Sequence, residues 1–137
     1  LQVGAGSAFG SGDHGSTAGC LDVLDRLARR RRVRRALDMG CGSGILALAV
    51  ARTWRAPVIA CDIDPEAVRV TGDNARRNQL VSLIRTAVSD GYGSTVVRRG
   101  APYDLIVSNI LARPLARMAL TRPPRSDPGR LRGFGAF

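Results

Sequence analysis

The segment from Leu37 to Leu46, LDMGCGSGIL, constrains the fold of this chain more than any other. An apolar run ends at Met39, a glycine-rich stretch follows, and apolar residues resume at Ile45; the glycines are Gly40, Gly42 and Gly44. Glycine permits backbone conformations that other residues avoid, and it lets a ligand approach without meeting a Cβ. The amides of a helix that follows such a turn face the ligand. The segment therefore predicts a buried strand, a ligand-binding loop and a helix.

The spacing of the glycines and one later carboxylate indicate the ligand. A dinucleotide loop, G-x-G-x-x-G, would need glycine where Ile45 stands, so the pattern fits S-adenosylmethionine better than NAD. Asp62 lies 22 residues after Gly40 at the end of the apolar run 57–61, where a carboxylate can hold a ribose diol. Asp64 is the alternative, but Asp64-Pro65-Glu66 is typical of a helix start. A plain tight turn is the alternative for the glycine loop.

Short apolar runs alternate with helical patterns along the chain, which predicts an α/β fold with a parallel sheet and right-handed crossovers. Ser16 or Thr17 is expected to cap a first helix, whose apolar positions recur every three or four residues over 21–28. Further helices are predicted at 44–53 and 65–78, and a loop with at most a short helix at 89–102. The predicted strands are 36–39, 58–62, 83–88 and 103–109.

The positive charge of the chain suggests the hypothesis that it binds nucleic acid. The net charge is +10, all 21 basic residues are arginine, and six of them lie in Arg29 to Arg35. Such a cluster can contact RNA phosphates or an acidic partner, or it can simply complement the dipole at a helix end. Aromatic residues for base stacking make up only 4% of the chain, so RNA contact is expected to be weak.

The remaining composition indicates a soluble, cytoplasmic domain. With 137 residues and 45% hydrophobic residues, the chain can form one ordinary core. No apolar run reaches 18 residues and no signal peptide is visible at the start, so no membrane association is expected. Three cysteines, Cys20, Cys41 and Cys61, lack metal-ligand spacing, which predicts no metal site and a reducing compartment.

Two further segments carry candidate functional residues. The small-residue stretch 8–17, which contains His14, can fold over a ligand that lies at the strand ends. The apolar run 103–108 leads to Asn109 at the carboxyl edge of the predicted sheet, where open α/β folds bind ligands. The alternative role for Asn109 is to cap a following helix.

Four segments together resemble the PrmA family, the methyltransferases that modify large-subunit ribosomal protein eleven. The resemblance runs from about Phe9 to Leu115 and rests on AFGSGDHGST, LDMGCGSGILALA, ACDIDPEAV and NILARPL. It implies a Rossmann-like class I methyltransferase fold, S-adenosylmethionine as cofactor, and methyl transfer to lysine side chains and an N-terminal amine of the ribosomal protein.

The resemblance implies cofactor contacts, and the chemistry of methyl transfer suggests further roles for individual residues. Asn109 is expected to accept hydrogen bonds from the attacking amine or from the methionine end of the cofactor, and His14 is a candidate to take the proton of the lysine. Solvent can also take that proton. The residues expected to bind the cofactor are Thr17, Gly40, Gly42, Gly44, Asp62 and Asn109.

The chain departs from the family pattern after residue 120. Residues 1–120 are expected to form a cofactor-binding domain that is incomplete on its C-terminal side, with 121–137 as a divergent, disordered tail. A sheet truncated after strand four would expose Leu105, Ile106 and Val107 at its edge and favour self-association. Two alternative functions stay open, namely a non-catalytic remnant that at most binds the cofactor and a related RNA methyltransferase.

Overall fold

The computed structural model describes residues 14–108 and 134–135, with side chains over 18–108. Five strands form one sheet in the order β3-β2-β1-β4-β5, and every neighbouring pair is parallel. The described elements are α1 (His14–Ala28), β1 (Ala36–Met39), α2 (Ile45–Trp54), β2 (Val58–Asp62), α3 (Pro65–Arg77), β3 (Ile84–Val88), α4 (Thr95–Gly100), β4 (Leu105–Ser108) and β5 (Phe134–Gly135).

Helices cover both faces of the sheet, and the side chains of β1 point alternately to one face and to the other. All four residues of β1 are buried. Ala36 packs into the larger core with residues of α1 and α2, whereas Leu37 and Met39 pack against Val97 of α4 and Tyr103 on the opposite face. This arrangement confirms the predicted α/β fold, and it explains why β1 is a nearly continuous apolar run rather than an alternating one.

Two element boundaries differ from the prediction by more than one residue. Helix α1 begins at His14, so Ser16 and Thr17 lie inside the helix and the expected cap is wrong. First-turn amides need no partner within the helix, so residues such as Gly15 and Ser16 are tolerated there. Strand β4 begins at Leu105 rather than at residue 103.

The edge beside β4 also differs from expectation. The two residues of β5 pair with Val107 and Ser108, although they lie in the segment 121–137 that was expected to be disordered. Such pairing uses main-chain groups, so it needs no apolar periodicity in the sequence. The side chains of Leu105 and Val107 are fully buried in the core and that of Ile106 is partly buried, and self-association through this strand stays a prediction.

In the part of the chain that the structure describes, no helix has the length and apolar character needed to cross a membrane.

Candidate cofactor-binding site

The glycine loop joins β1 to α2 and is fixed by the main chain of β2. The amides of Gly40 and Cys41 both donate to the carbonyl oxygen of Cys61, at 2.8 and 2.9 Å. All three glycines of the loop have positive φ, at 75°, 54° and 84° for positions 40, 42 and 44. The tight loop predicted from the sequence is therefore confirmed, and its backbone conformation is the one that glycine adopts without strain.

Helix α3 supports the loop from one side. The Thr71 hydroxyl donates to the carbonyl oxygen of Gly42 at 3.0 Å, and the Asn74 amide donates to that of Ser43 at 2.8 Å. A Cβ added at Gly44 would lie 2.7 Å from Cγ2 of Thr71. The loop is thus held rigidly between α3 and β2, which preorganises it for a ligand.

Asp62 lies against this loop, as the sequence predicts. One oxygen of its carboxylate, Oδ2, accepts a hydrogen bond from the amide of Gly42 at 3.0 Å, and the other, Oδ1, accepts one from the amide of Asp64 at 3.0 Å. The side chain stays partly exposed. Because each carboxylate oxygen can accept more than one hydrogen bond, Asp62 is fixed in orientation and still able to bind hydroxyl groups.

Asp64 has the structural role that was predicted for it. It is the N-cap of α3, its side chain accepts a hydrogen bond from the amide of Glu66 at 2.9 Å, and Pro65 is the first helical residue. The capping of α3 therefore accounts for Asp64, and Asp62 is the carboxylate that meets the glycine loop.

Asp38 is a candidate site residue that the sequence reasoning missed. Its side chain is 1% exposed, and Oδ2 accepts a hydrogen bond from the amide of Ala47 at 3.0 Å. Burial raises the pKa of Asp38 to about 7, the hydrogen bond from Ala47 opposes the rise, and the negative charge of Asp62 adds to it. The available signal was a lone carboxylate inside the apolar run of β1.

Two buried polar side-chain atoms lack a hydrogen-bond partner within the described residues, and both lie at the carboxyl edge of the sheet. They are Oδ1 of Asp38 in β1 and Oγ of Ser108 in β4. The two strands are neighbours, and Ser108 pairs in register with Met39. An unpaired buried polar atom is costly, so these two atoms are candidates to form hydrogen bonds with a ligand.

The other predicted site residues cannot be placed against this edge. His14 and Thr17 lie in α1, with side chains outside the described part. Asn109 directly follows Ser108 and also lies outside the described residues. The roles of these three residues therefore stay predictions.

The cysteines beside the loop are not reactive groups. Cys20, Cys41 and Cys61 are free and buried. Burial raises the pKa of Cys61 to about 12, with the negative charge of Asp38 adding to the effect, and the pKa of Cys41 is raised for the same reasons. Both thiols stay neutral and act as small apolar side chains beneath the loop.

Comparison with known proteins identifies the family. Residues 1–130 match the sequence model of the ribosomal protein L11 methyltransferases (PrmA). The chain belongs to this family. A curated PrmA relative, the ribosomal protein L11 methyltransferase of Rhizobium etli, is 53% identical over 129 residues, which are 94% of this chain and 44% of the relative. The chain thus spans less than half the length of this relative.

One solved structure agrees with the PrmA assignment, and a second shares the fold. The ribosomal protein L11 methylase of Lactobacillus delbrueckii subsp. bulgaricus superposes with a TM-score of 0.70 at 30% identity, over 85% of this chain and 55% of the other. An RNA methyltransferase from Salinibacter ruber, solved with S-adenosyl-L-homocysteine, gives a TM-score of 0.57 at 21% identity, over 69% of this chain and 60% of the other. The second likeness concerns the fold alone. The class I methyltransferase fold predicted for the chain is confirmed.

Proposed function

We propose that this chain forms the S-adenosylmethionine-binding part of a protein methyltransferase that modifies lysine side-chain and N-terminal amines of ribosomal protein L11. The observation that carries the proposal is the 3.0 Å hydrogen bond from the amide of Gly42 to the carboxylate of Asp62. It joins a ligand-binding loop to an acidic residue at the ends of two neighbouring strands, where a nucleoside with a free ribose diol fits.

The chemistry of the described residues fits this cofactor. Asp62 would accept hydrogen bonds from the ribose hydroxyls, and the glycine loop would allow close approach of the nucleoside. The buried Oδ1 of Asp38 lacks a partner in the described part and would accept a hydrogen bond from the ammonium group of the methionine end. When bound, S-adenosylmethionine supplies a methyl group that is already activated by its sulfonium.

The protein would then mainly position the acceptor amine. A lysine with a pKa near 10.4 must lose a proton before it can attack, and we propose His14 as the group that takes it. We propose that Asn109 orients the amine or the methionine end, and that Thr17 completes the cofactor contacts. In the sequence, Asn109 directly follows Ser108, the last residue of β4. We also propose a cytoplasmic location, because the substrate is a ribosomal protein.

Calorimetric titration of S-adenosylmethionine tests the binding step. Asp62→Asn is expected to weaken binding about tenfold or more, because it removes the charge and one acceptor oxygen at the ribose. Asp64→Asn is the matched control, since asparagine also caps helices well and the substitution removes the same charge two residues away. Equal effects of the two substitutions, or no binding by the folded wild-type chain, would contradict the proposed site.

Transfer of a radiolabelled methyl group tests the reaction. We expect label on ribosomal protein L11 and none on RNA when both are offered to the chain. Label on RNA alone would support the alternative of an RNA methyltransferase. Saturable cofactor binding without any transfer would support the alternative of a non-catalytic remnant.

A further inference from the structure

A groove of about 320 Å³ opens at the amino ends of the strands, away from the glycine loop. Its apolar lining includes Pro57 and Val58 at the start of β2, and Leu83 and Ile84 at the start of β3. Three arginines also line it, and we call them the basic surface: Arg35, Arg85 and Arg99. They come from three separate parts of the chain, namely the residue before β1, strand β3 and helix α4.

The side chains of the basic surface are exposed, and within the described residues none of them forms an ion pair. Some other arginines do form ion pairs, since Arg69 of α3 pairs with Glu66 at 2.7 Å. Arg35 donates from Nη1 to the carbonyl oxygen of Gly100 at 3.1 Å, which holds one guanidinium at the groove. The positive charges around the groove are therefore available to an external anion.

The segment 29–35 extends this positive charge along the end of α1. All six of its arginines are exposed. The nearby carboxylate of Asp104 is 2% exposed, and its Oδ2 accepts hydrogen bonds from the amides of Arg34 and Arg35 at 2.7 and 3.1 Å. The indole of Trp54, at the end of α2, donates to the carbonyl oxygen of Arg31 at 2.9 Å. The segment is thus held by its main chain. The guanidinium of Arg29 pairs with Asp25 at 3.4 Å, and those of Arg30, Arg31, Arg32 and Arg34 form no ion pair within the described residues.

We propose that the basic surface and the segment 29–35 bind the phosphate backbone of single-stranded RNA. A guanidinium presents a planar fork of donors that matches phosphate in a bidentate manner. Interfaces with nucleic acids are much more positively charged than interfaces with proteins, whose centres are depleted of charged residues other than arginine. A surface of one sign around a small groove therefore favours RNA over an acidic protein.

The position of the groove separates this interaction from cofactor binding. The groove lies at the amino end of β2, whereas Asp62 is the last residue of that strand. Five residues of strand extend about 16 Å, so RNA at one end and a nucleoside at the other do not share contacts. The RNA proposal therefore does not depend on the proposed methyltransferase function.

Fluorescence anisotropy with a labelled oligouridine of about 20 nucleotides tests the proposal on the whole chain. The groove variant combines Arg35→Gln, Arg85→Gln and Arg99→Gln. The matched control combines Arg26→Gln, Arg69→Gln and Arg76→Gln, which removes the same charge from arginines that are ion-paired to acids in the structure. We expect the groove variant to bind about tenfold or more weakly near 100 mM salt, and the slope of log affinity against log salt to fall by about 2. The control is expected to change affinity less than about threefold.

Three outcomes would overturn the proposal: no binding of oligouridine by the wild-type chain, equal losses in the two triple variants, or binding of polyglutamate as tight as that of RNA. Circular dichroism checks the fold of each variant. If the groove variant does not fold, Arg85→Gln with Arg99→Gln keeps the contact of Arg35 with Gly100. That double variant is expected to lose affinity in the same direction, and an unchanged affinity in it would contradict the proposal. Saturating S-adenosylmethionine is expected to leave RNA affinity unchanged.

Discussion

At both ends of the sheet the chain turns between a strand and a helix, but the turns at the two ends are formed by different residues. At the carboxyl end the residues with positive φ are glycines, among them Gly42 and Gly44, whereas at the amino end they are Arg55 and Gln79, at φ of 51° and 57°. Positive φ alone therefore does not require glycine in this fold. The glycines are needed where another element packs closely, as Thr71 does on Gly44, or where a ligand has to approach.

The two ends of the sheet also differ in the sign of their charged side chains. The carboxyl end holds the carboxylates of Asp38 and Asp62, and the amino end holds the basic surface, where Asp104 bonds to main-chain amides. One sheet thus presents an edge suited to a cationic cofactor and an edge suited to a polyanion.

The largest expected effect concerns the pH dependence of stability at Asp38. Its pKa is about 7 in the folded protein, above the ordinary aspartate pKa of 3.8, so between these values the folded state keeps a proton that the unfolded state has lost. The free energy of unfolding should therefore fall as pH rises through this window, by roughly 4 kcal/mol in all. Urea unfolding from pH 4 to pH 8 measures the loss.

Asp38→Asn is the comparison for this measurement, because it keeps the shape of the side chain and cannot ionise. The variant should lack this part of the pH dependence and become more stable relative to wild type as pH rises. Parallel stability curves for the two proteins would show that Asp38 does not carry the effect.

Gly44→Ala should lower the free energy of unfolding by about 3 kcal/mol, through positive φ and through collision with Thr71. It should also weaken binding of S-adenosylmethionine, since the loop must shift. Thermal unfolding and calorimetric titration measure the two effects. The control is Gly72→Ala in α3, where an added Cβ meets no atom within 4 Å and a helix-favouring residue should be neutral or stabilising. Equal losses of stability in Gly44→Ala and Gly72→Ala would contradict the claim that close packing against Thr71 requires glycine at position 44.

Asp104→Ala should cost about 2 kcal/mol, because it leaves the amides of Arg34 and Arg35 without their acceptor. It should also weaken oligouridine binding at the amino end while S-adenosylmethionine affinity at the carboxyl end stays within about twofold. Chemical unfolding and the two binding titrations separate these effects. A parallel loss of both affinities would indicate general unfolding rather than a local change.

The smallest expected effect is at Gln79. Gln79→Gly should raise the free energy of unfolding by about 1 kcal/mol, since glycine adopts positive φ without the penalty of a Cβ. Thermal unfolding against wild type measures it. A loss of stability would mean that the glutamine side chain stabilises the fold by more than its positive φ destabilises it. The two ends of the sheet would then not differ in backbone strain.

Sequence patterns predicted the centre of the molecule well. Strands β1, β2 and β3 are apolar runs whose burial dictates their conformation. The glycine loop could be predicted because few structures require three glycines at this spacing. Asp62 and Asp64 could be assigned separate roles because Pro65 indicates the start of a helix.

The parts that the sequence did not predict depend on contacts between distant residues. The burial of Asp38 follows from packing of α2 on β1, and the pattern around it indicates only an apolar strand. The pairing of β5 with β4 uses main-chain groups that every residue possesses. The groove at the amino end combines Arg35, Arg85 and Arg99, which are far apart in the chain and meet only in the folded sheet.

Because of the hydrogen bond between Trp54 and Arg31, tryptophan fluorescence can report on ligand binding to this chain. Trp54 is the only tryptophan in the sequence, and its indole is bonded to the segment that we propose binds RNA. Intrinsic emission therefore senses the amino end of the sheet, whereas the carboxyl edge holds no tryptophan in its described part. A titration that follows this emission without any attached dye would distinguish ligands by the end of the sheet to which they bind.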